Sequence, residues 1–335
     1  MSRMKFGAII GGIAGLGLSA WLLESYGIGR IIDLLERAGW WGILAVIAFH
    51  GVQVLFSALG WRVISGPNVA QPGLRTYIAL RWSREAVNNL LPLAQVGGEF
   101  VVSRLLLQRG MRLAASIAGT LADVTVEMAT QVLFTLVGLV LLLRSAGDSG
   151  IAGYVISGVA VAALAVAGLI GALWFGLAAA VEKGLMRLGR AMGWSGTAKV
   201  EGLHDALIDC YRAPRRLALA ATCHMISWLL GGIEVCLALH FLGHDMSFGS
   251  GLIIESLGQA AKAAGFAVPG ALGIQEGGYI VICRALGLSP EVAIALSLIK
   301  RMRESALGVP GLIFWQCIEA RDSNPPATPI AGAIP

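Results

Sequence analysis

This sequence is poor in charge. Asp, Glu, Lys and Arg make up 13% of its 335 residues, where a soluble domain carries about 25%. Too few ionic groups remain to solvate an ordinary protein surface, which excludes a soluble catalytic domain or a nucleic-acid module as the body of the chain. The net charge of +5 and pI near 9.1 are read as a record of membrane orientation, with no nucleic acid as partner. The five cysteines stand apart at 210, 223, 236, 283 and 317. With no C-x-x-C pair they offer no metal or redox centre and are read as packing residues. His50, His204, His224, His240 and His244 form no H-E-x-x-H, and neither a G-x-S-x-G elbow nor a P-loop occurs. No catalytic residue, metal or cofactor is expected, and His224 and His240 are read as polar packing residues.

What is abundant is apolar sequence, 56% of residues with a mean hydropathy of +0.76. Runs at 6–24, 40–61, 113–143, 151–180, 215–242 and 290–317 each suffice to cross a hydrocarbon core of ~30 Å as a helix. The fold class is all-α, a polytopic helical membrane protein of six full spans. The first run follows Arg3 and Lys5 without a clean A-x-A site, so it is expected to stay as a helix rather than leave as a signal peptide. Two more apolar regions, 76–109 and 251–287, are broken by Gly, Pro and charge and fit no straight helix. Basic residues cluster on one side, with the N- and C-termini cytoplasmic, if 76–109 enters and leaves on the same face. Residues 181–214 read as a cytoplasmic amphipathic element on the inner leaflet. Residues 1–324 form one domain and 325–335 a disordered tail.

The first interrupted region contains "NNLLPLAQVGGEF" and the second "PGALGIQEGG". Shifted by 177 residues, the first meets the second without a gap. Pro92 falls on Pro269, Ala94 on Ala271, Glu99 on Glu276, Gly110 on Gly287, Ile117 on Ile294, Ala118 on Ala295, Leu121 on Leu298 and Glu127 on Glu304. In the units 76–143 and 253–317, three spans, 113–143, 151–180 and 215–242, separate the first interrupted region from the second, so the second is expected to enter from the opposite face. Inverted units with broken helices are how secondary transporters build a site reachable from either side. Each region is expected to be a re-entrant hairpin. Pro92 stops a half-helix, Gly97 and Gly98 permit the reversal, and Asn88 and Asn89 satisfy carbonyls freed at the break. Pro269, Gly270 and Gly273 play the same part in the second unit. An ordinary kinked helix with glycines for packing is the alternative.

The polar residues of these regions are acids and bases in near balance, which suits an interior cavity with paired charges. Asp123 and Glu127 share a helix face. The offset places Lys300 and Glu304 at the same two positions, and Asp123 is predicted to pair with Lys300 or one of its arginine neighbours, Arg301 or Arg303, across the pseudo-twofold axis. Arg81, Arg84 and Arg104 flank the first hairpin and are candidates to seat a lipid phosphate. Structural salt bridges, and orientation or inner-leaflet contact for the arginines, are the competing readings.

"RWSREAVNNLLPLAQVGGEFVVSRLL" and "VPGALGIQEGG" together resemble the lysylphosphatidylglycerol synthase transmembrane-region family, the flippase-like integral membrane proteins. The likeness rests on Asn88, Asn89, Pro92, Gly97, Gly98 and Glu99, and on Pro269, Gly270, Gly273 and Glu276. It implies a lipid translocase of the bacterial inner membrane whose partners are membrane lipids. Residues 75–110 also resemble the branch associated with hopanoid-synthesis loci. The chain departs from the larger members by carrying no aminoacyltransferase domain, so synthesis of an aminoacylated lipid is not implied. A non-catalytic accessory of lipid-biosynthesis enzymes and an intramembrane headgroup-modifying enzyme are the rival functions.

Overall fold

Every described element is helical. The structure, a computed structural model, describes residues 17, 21, 24–67, 71–91, 97–145, 202–265 and 268–323. Among them run nine α-helices: α1 (Ile28–Ile64), α2 (Leu74–Leu90), α3 (Gly97–Gln108), α4 (Leu113–Ser145), α5 (Leu203–Tyr211), α6 (Pro214–Phe241), α7 (Phe248–Ala264), α8 (Ile274–Ala285) and α9 (Pro290–Ser323), with a 3₁₀ turn at Pro269–Ala271. The predicted spans 151–180 and nearly all of 6–24, the tail 325–335, and the 181–214 element up to residue 201 lie outside the described residues.

Three described helices, α1, α4 and α6, are long and apolar enough to cross a membrane. α9 has the length, 34 residues, but Lys300, Arg301, Arg303 and Glu304 interrupt its apolar run. α1 begins earlier than the apolar run did, because residues 28–38 continue the helix across a break at Gly39, φ +59°. The predicted span start at residue 40 coincides with that break. Trp40 and Trp41 follow it, 77% and 81% exposed, as suits indoles at a membrane–water boundary. α5 turns Leu203, Leu207 and Cys210 into the core beside α4. This part of the amphipathic element packs its apolar face against protein.

α1 and α6 pack antiparallel through small residues, which let backbones approach closely. Gly42 lies against Phe241, and Gly60 against Ala220 and His224. Between them Ser57 donates to Ser227 at 3.0 Å.

α2 and α3 form an antiparallel pair, with Arg109 on Thr76 at one end (3.2 Å) and Gly98 on Asn88 at the other (2.7 Å). α7 and α8 do the same, since Gly258 meets Tyr279 and Gly278 meets Ala261. At 12 residues each, α3 and α8 are only ~18 Å long, too short to cross a bilayer. Shifted by 177 residues, the bounds of α3 become those of α8, and the start of α4 becomes the start of α9. The intervening turn repeats bond for bond. Gly110 N–H donates to Leu107 O and Met111 N–H to Leu106 O, while Gly287 donates to Arg284 O and Leu288 to Cys283 O. That is a Schellman closure whose central residue needs a left-handed conformation. Gly110 and Gly287 supply it at φ +88° and +79°.

The two units run in opposite directions. α4 is antiparallel to α7, Gly138 facing Ser256 and Gln131 facing Gln259. α2 is antiparallel to α9, Leu90 facing Gly308 and Ala86 facing Gly311. Pro310 interrupts α9's hydrogen-bond ladder, and one turn away Trp82 of α2 donates to Leu307 O at 2.8 Å.

Candidate functional site

The polar residues gather where the two units meet. In the first unit α2 presents two arginines whose nitrogens are fully engaged. Arg81 donates from Nε to Glu85 (2.9 Å) and from both terminal nitrogens to Glu127 (2.8 and 2.5 Å). Arg84 donates to Glu99 (3.0 Å), Asp123 (2.7 Å) and Glu127 (2.8 Å). A lipid phosphate would have to displace carboxylates from these two side chains, so in this conformation neither is the open anion seat that the sequence suggested. Arg104 is held elsewhere, on Glu319 at 2.6 Å.

The hairpin end is tied by one amide. Asn88 accepts from Gly98 N–H at 2.7 Å and donates to Glu99 at 3.1 Å. It satisfies an N–H at the start of α3, not a carbonyl freed by the break, because the first amides of a helix are the unpaired ones. Gly98 is needed for close approach: an added Cβ would sit 2.5 Å from Arg84 O. Gly98→Ala is therefore expected to destabilise by about 1–3 kcal/mol through overpacking. Gly277→Ala, whose methyl meets nothing within 4 Å, should be neutral; thermal unfolding of the detergent-purified protein compares them. Gly97 opens α3, and Pro92 lies outside the described residues.

In the second unit Glu276 holds the tip. It accepts from Gly273 N–H (2.7 Å), Arg301 Nε (2.6 Å) and Ser297 (3.3 Å), while Arg301 also donates to Gly270 O (3.1 Å). Gly270 and Gly273 take φ of +64° and +77°, Gly270 inside the 3₁₀ turn that Pro269 opens and Gly273 at the start of α8. Lys300 pairs with Glu255, Lys262 with Glu304 at 2.6 Å, and Arg303 with Glu234. The predicted Asp123–Lys300 contact does not form. Asp123 binds Arg84 and, at 2.8 Å, His224. Each unit's long helix instead carries its ion pairs to its own hairpin helix, α4 to α2 through Arg81 and Arg84 and α9 to α7 through Lys262 and Lys300.

The units nevertheless touch. Lys262 of α7 donates to Asn89 of α2 at 3.2 Å, so Asn89 binds a cation of the other unit rather than a freed carbonyl. The ion networks join at His50 of α1, whose Nε2 lies 3.1 Å from Glu85 and Nδ1 3.2 Å from Glu234. The sequence reading missed His50, a lone histidine in an apolar run, and read His224 as packing, although at 1% exposure it is a hydrogen-bond partner of Asp123. A buried acid four residues from another, Asp123 with Glu127, was the one signal that nearby bases were required. His240 is exposed and bonded to Asp245 at 2.6 Å. No group of His, Cys, Asp and Glu suited to a metal ion occurs among the described residues.

Beside the hairpin end, an apolar cleft of about 550 Å³ is lined by Leu91, Leu312, Ile313, Trp315, Gln316 and Cys317. Apolar membrane-capable helices around a buried ion network, with two helical pairs running in opposite directions, define a multi-pass membrane protein. The chain belongs to the lysylphosphatidylglycerol synthase TM region family, whose sequence profile matches residues 8–309, which relates it to lipid modification or transport. No curated protein and no solved structure matches it.

Proposed function

We propose that the protein is a lipid translocase of the bacterial inner membrane, moving a polar-headed lipid of phospholipid or hopanoid type between leaflets. The observation that supports this most is the meeting of two oppositely directed hairpins, each tipped by a carboxylate, Glu99 or Glu276, bonded to an arginine. As re-entrant elements of an inverted repeat they would face one site from opposite sides of the bilayer. The headgroup would cross beside Glu99, Asp123, Glu276 and Lys300, and the apolar cleft at Leu91 would keep the acyl or polycyclic body out of the ion network. Arg301 keeps one buried terminal nitrogen unpartnered, a donor at the second tip for a headgroup oxygen.

Reconstituted liposomes carrying a fluorescent phospholipid or hopanoid test this. Wild type is expected to expose inner-leaflet label to an impermeant quencher, and Glu99→Gln and Glu276→Gln each to abolish that movement while staying folded. Retained movement in both variants overturns the role of the tips.

A further inference from the structure

His50 is a buried titratable group that the translocation reading leaves without a task. It sits inside α1 with its side chain 14% exposed, and each ring nitrogen faces a carboxylate oxygen, Glu85 Oε2 at 3.1 Å and Glu234 Oε2 at 3.2 Å. A neutral imidazole carries a single N–H. In either tautomer it would aim a lone pair at one of those oxygens, and only the imidazolium donates to both. The groups around it leave that place open. From α2, Arg81 takes the other oxygen of Glu85, and from α9, Arg303 takes the other oxygen of Glu234. Gln53 of α1 shares Glu234 Oε2 at 2.5 Å, and Glu127 of α4 turns to Arg81 instead of the ring. A second observation points the same way. Among the described residues the network holds eight carboxylates (Glu85, Glu99, Asp123, Glu127, Glu234, Glu255, Glu276, Glu304) against six lysine and arginine cations (Arg81, Arg84, Lys262, Lys300, Arg301, Arg303). An unbalanced charge at bilayer depth is costly, and a proton on His50 removes one.

We propose that His50 is a proton-binding site linking proton uptake to the closed arrangement of the two units, which makes the translocation proton-coupled. The inference rests on the translocase reading for its coupling half only. With Glu85 on α2 and Glu234 on α6 both against the ring, one proton is bound. When α2 moves away from α6 and α9, the ring loses a carboxylate and its proton passes to water in the opened cavity. No other bond changes.

Nitrogen NMR of ¹⁵N-histidine-labelled full-length protein in bilayer nanodiscs at pH 7.5 tests the site. The His50 ring is expected to be doubly protonated, its signal identified by loss in His50→Gln or, should that variant misfold, by its shift in Glu85→Gln. A neutral ring overturns the proposal. In proteoliposomes an imposed pH gradient should change the wild-type translocation rate by up to about tenfold per pH unit, the limit for one linked proton, and His50→Gln should lose that dependence. Translocation indifferent to the gradient in wild type overturns the coupling. A doubly protonated ring in a protein that moves no tested lipid would overturn the translocase reading and leave the proton site standing.

Discussion

Arg84→Met is expected to destabilise the protein by about 3–5 kcal/mol, the cost of leaving a buried charge without its partner. Arg84 has 5% side-chain exposure and serves Glu99, Asp123 and Glu127 together. Asp123 is fully buried, and after the substitution it would keep only His224 and the more distant Arg81 at 3.9 Å. Against a total stability of about 5–15 kcal/mol, such a loss should show as a collapse in the yield of monodisperse protein. Arg84→Lys is expected to recover part of it. It restores the charge, but a single ammonium cannot reproduce a planar fork reaching three carboxylates. Size-exclusion yield and the thermal midpoint in detergent are the measurements. A wild-type midpoint for Arg84→Met would mean that the first-unit ions do not hold α2 to α4.

The second large effect is a reversal. Lys300 and Glu255 are each 3% exposed in the side chain and face one another between α9 and α7. Lys300→Met alone, or Glu255→Met alone, leaves one buried charge and should cost about 3–5 kcal/mol. The double variant removes both charges, and replacement of a whole buried pair by apolar groups of similar volume is often neutral or stabilising. Its midpoint is therefore expected to return close to wild type, with an interaction energy well above the additive value in the double-mutant cycle. Additive losses would show that the two side chains are stabilised separately. If the double variant folds but no longer translocates lipid, the pair serves function rather than architecture.

Helix class and much of the helix placement were legible in the chain. Apolar runs longer than about 18 residues have few alternatives to helices, and Pro269 with Gly270 and Gly273 marked a break that the structure keeps. The 177-residue offset was visible as eight identities, and the same offset governs the ends of α3 and α8 and the glycine turns at Gly110 and Gly287. Local chemistry explains this, because a turn requiring φ above zero selects glycine wherever it recurs. The start of α1 was not legible, since residues 28–38 mix charge with apolar side chains and join the following span only through Gly39.

Partner choice was a different kind of question. Periodicity placed Asp123 and Glu127 on one face but carried no information on which base would reach them, and symmetry suggested the wrong one. His50 shows the limit most clearly. Its partners lie 35 and 184 residues away in the chain, so no local spacing marks it. The sequence by itself determined that this is a helical membrane protein with two matching interrupted regions, because burial in lipid and turn geometry act on neighbouring residues. Which acid meets which base, that the hairpin units touch through Asn89 and Lys262, and that one histidine joins their networks were decided by the tertiary structure alone, because Coulomb energies follow distance in space rather than along the chain.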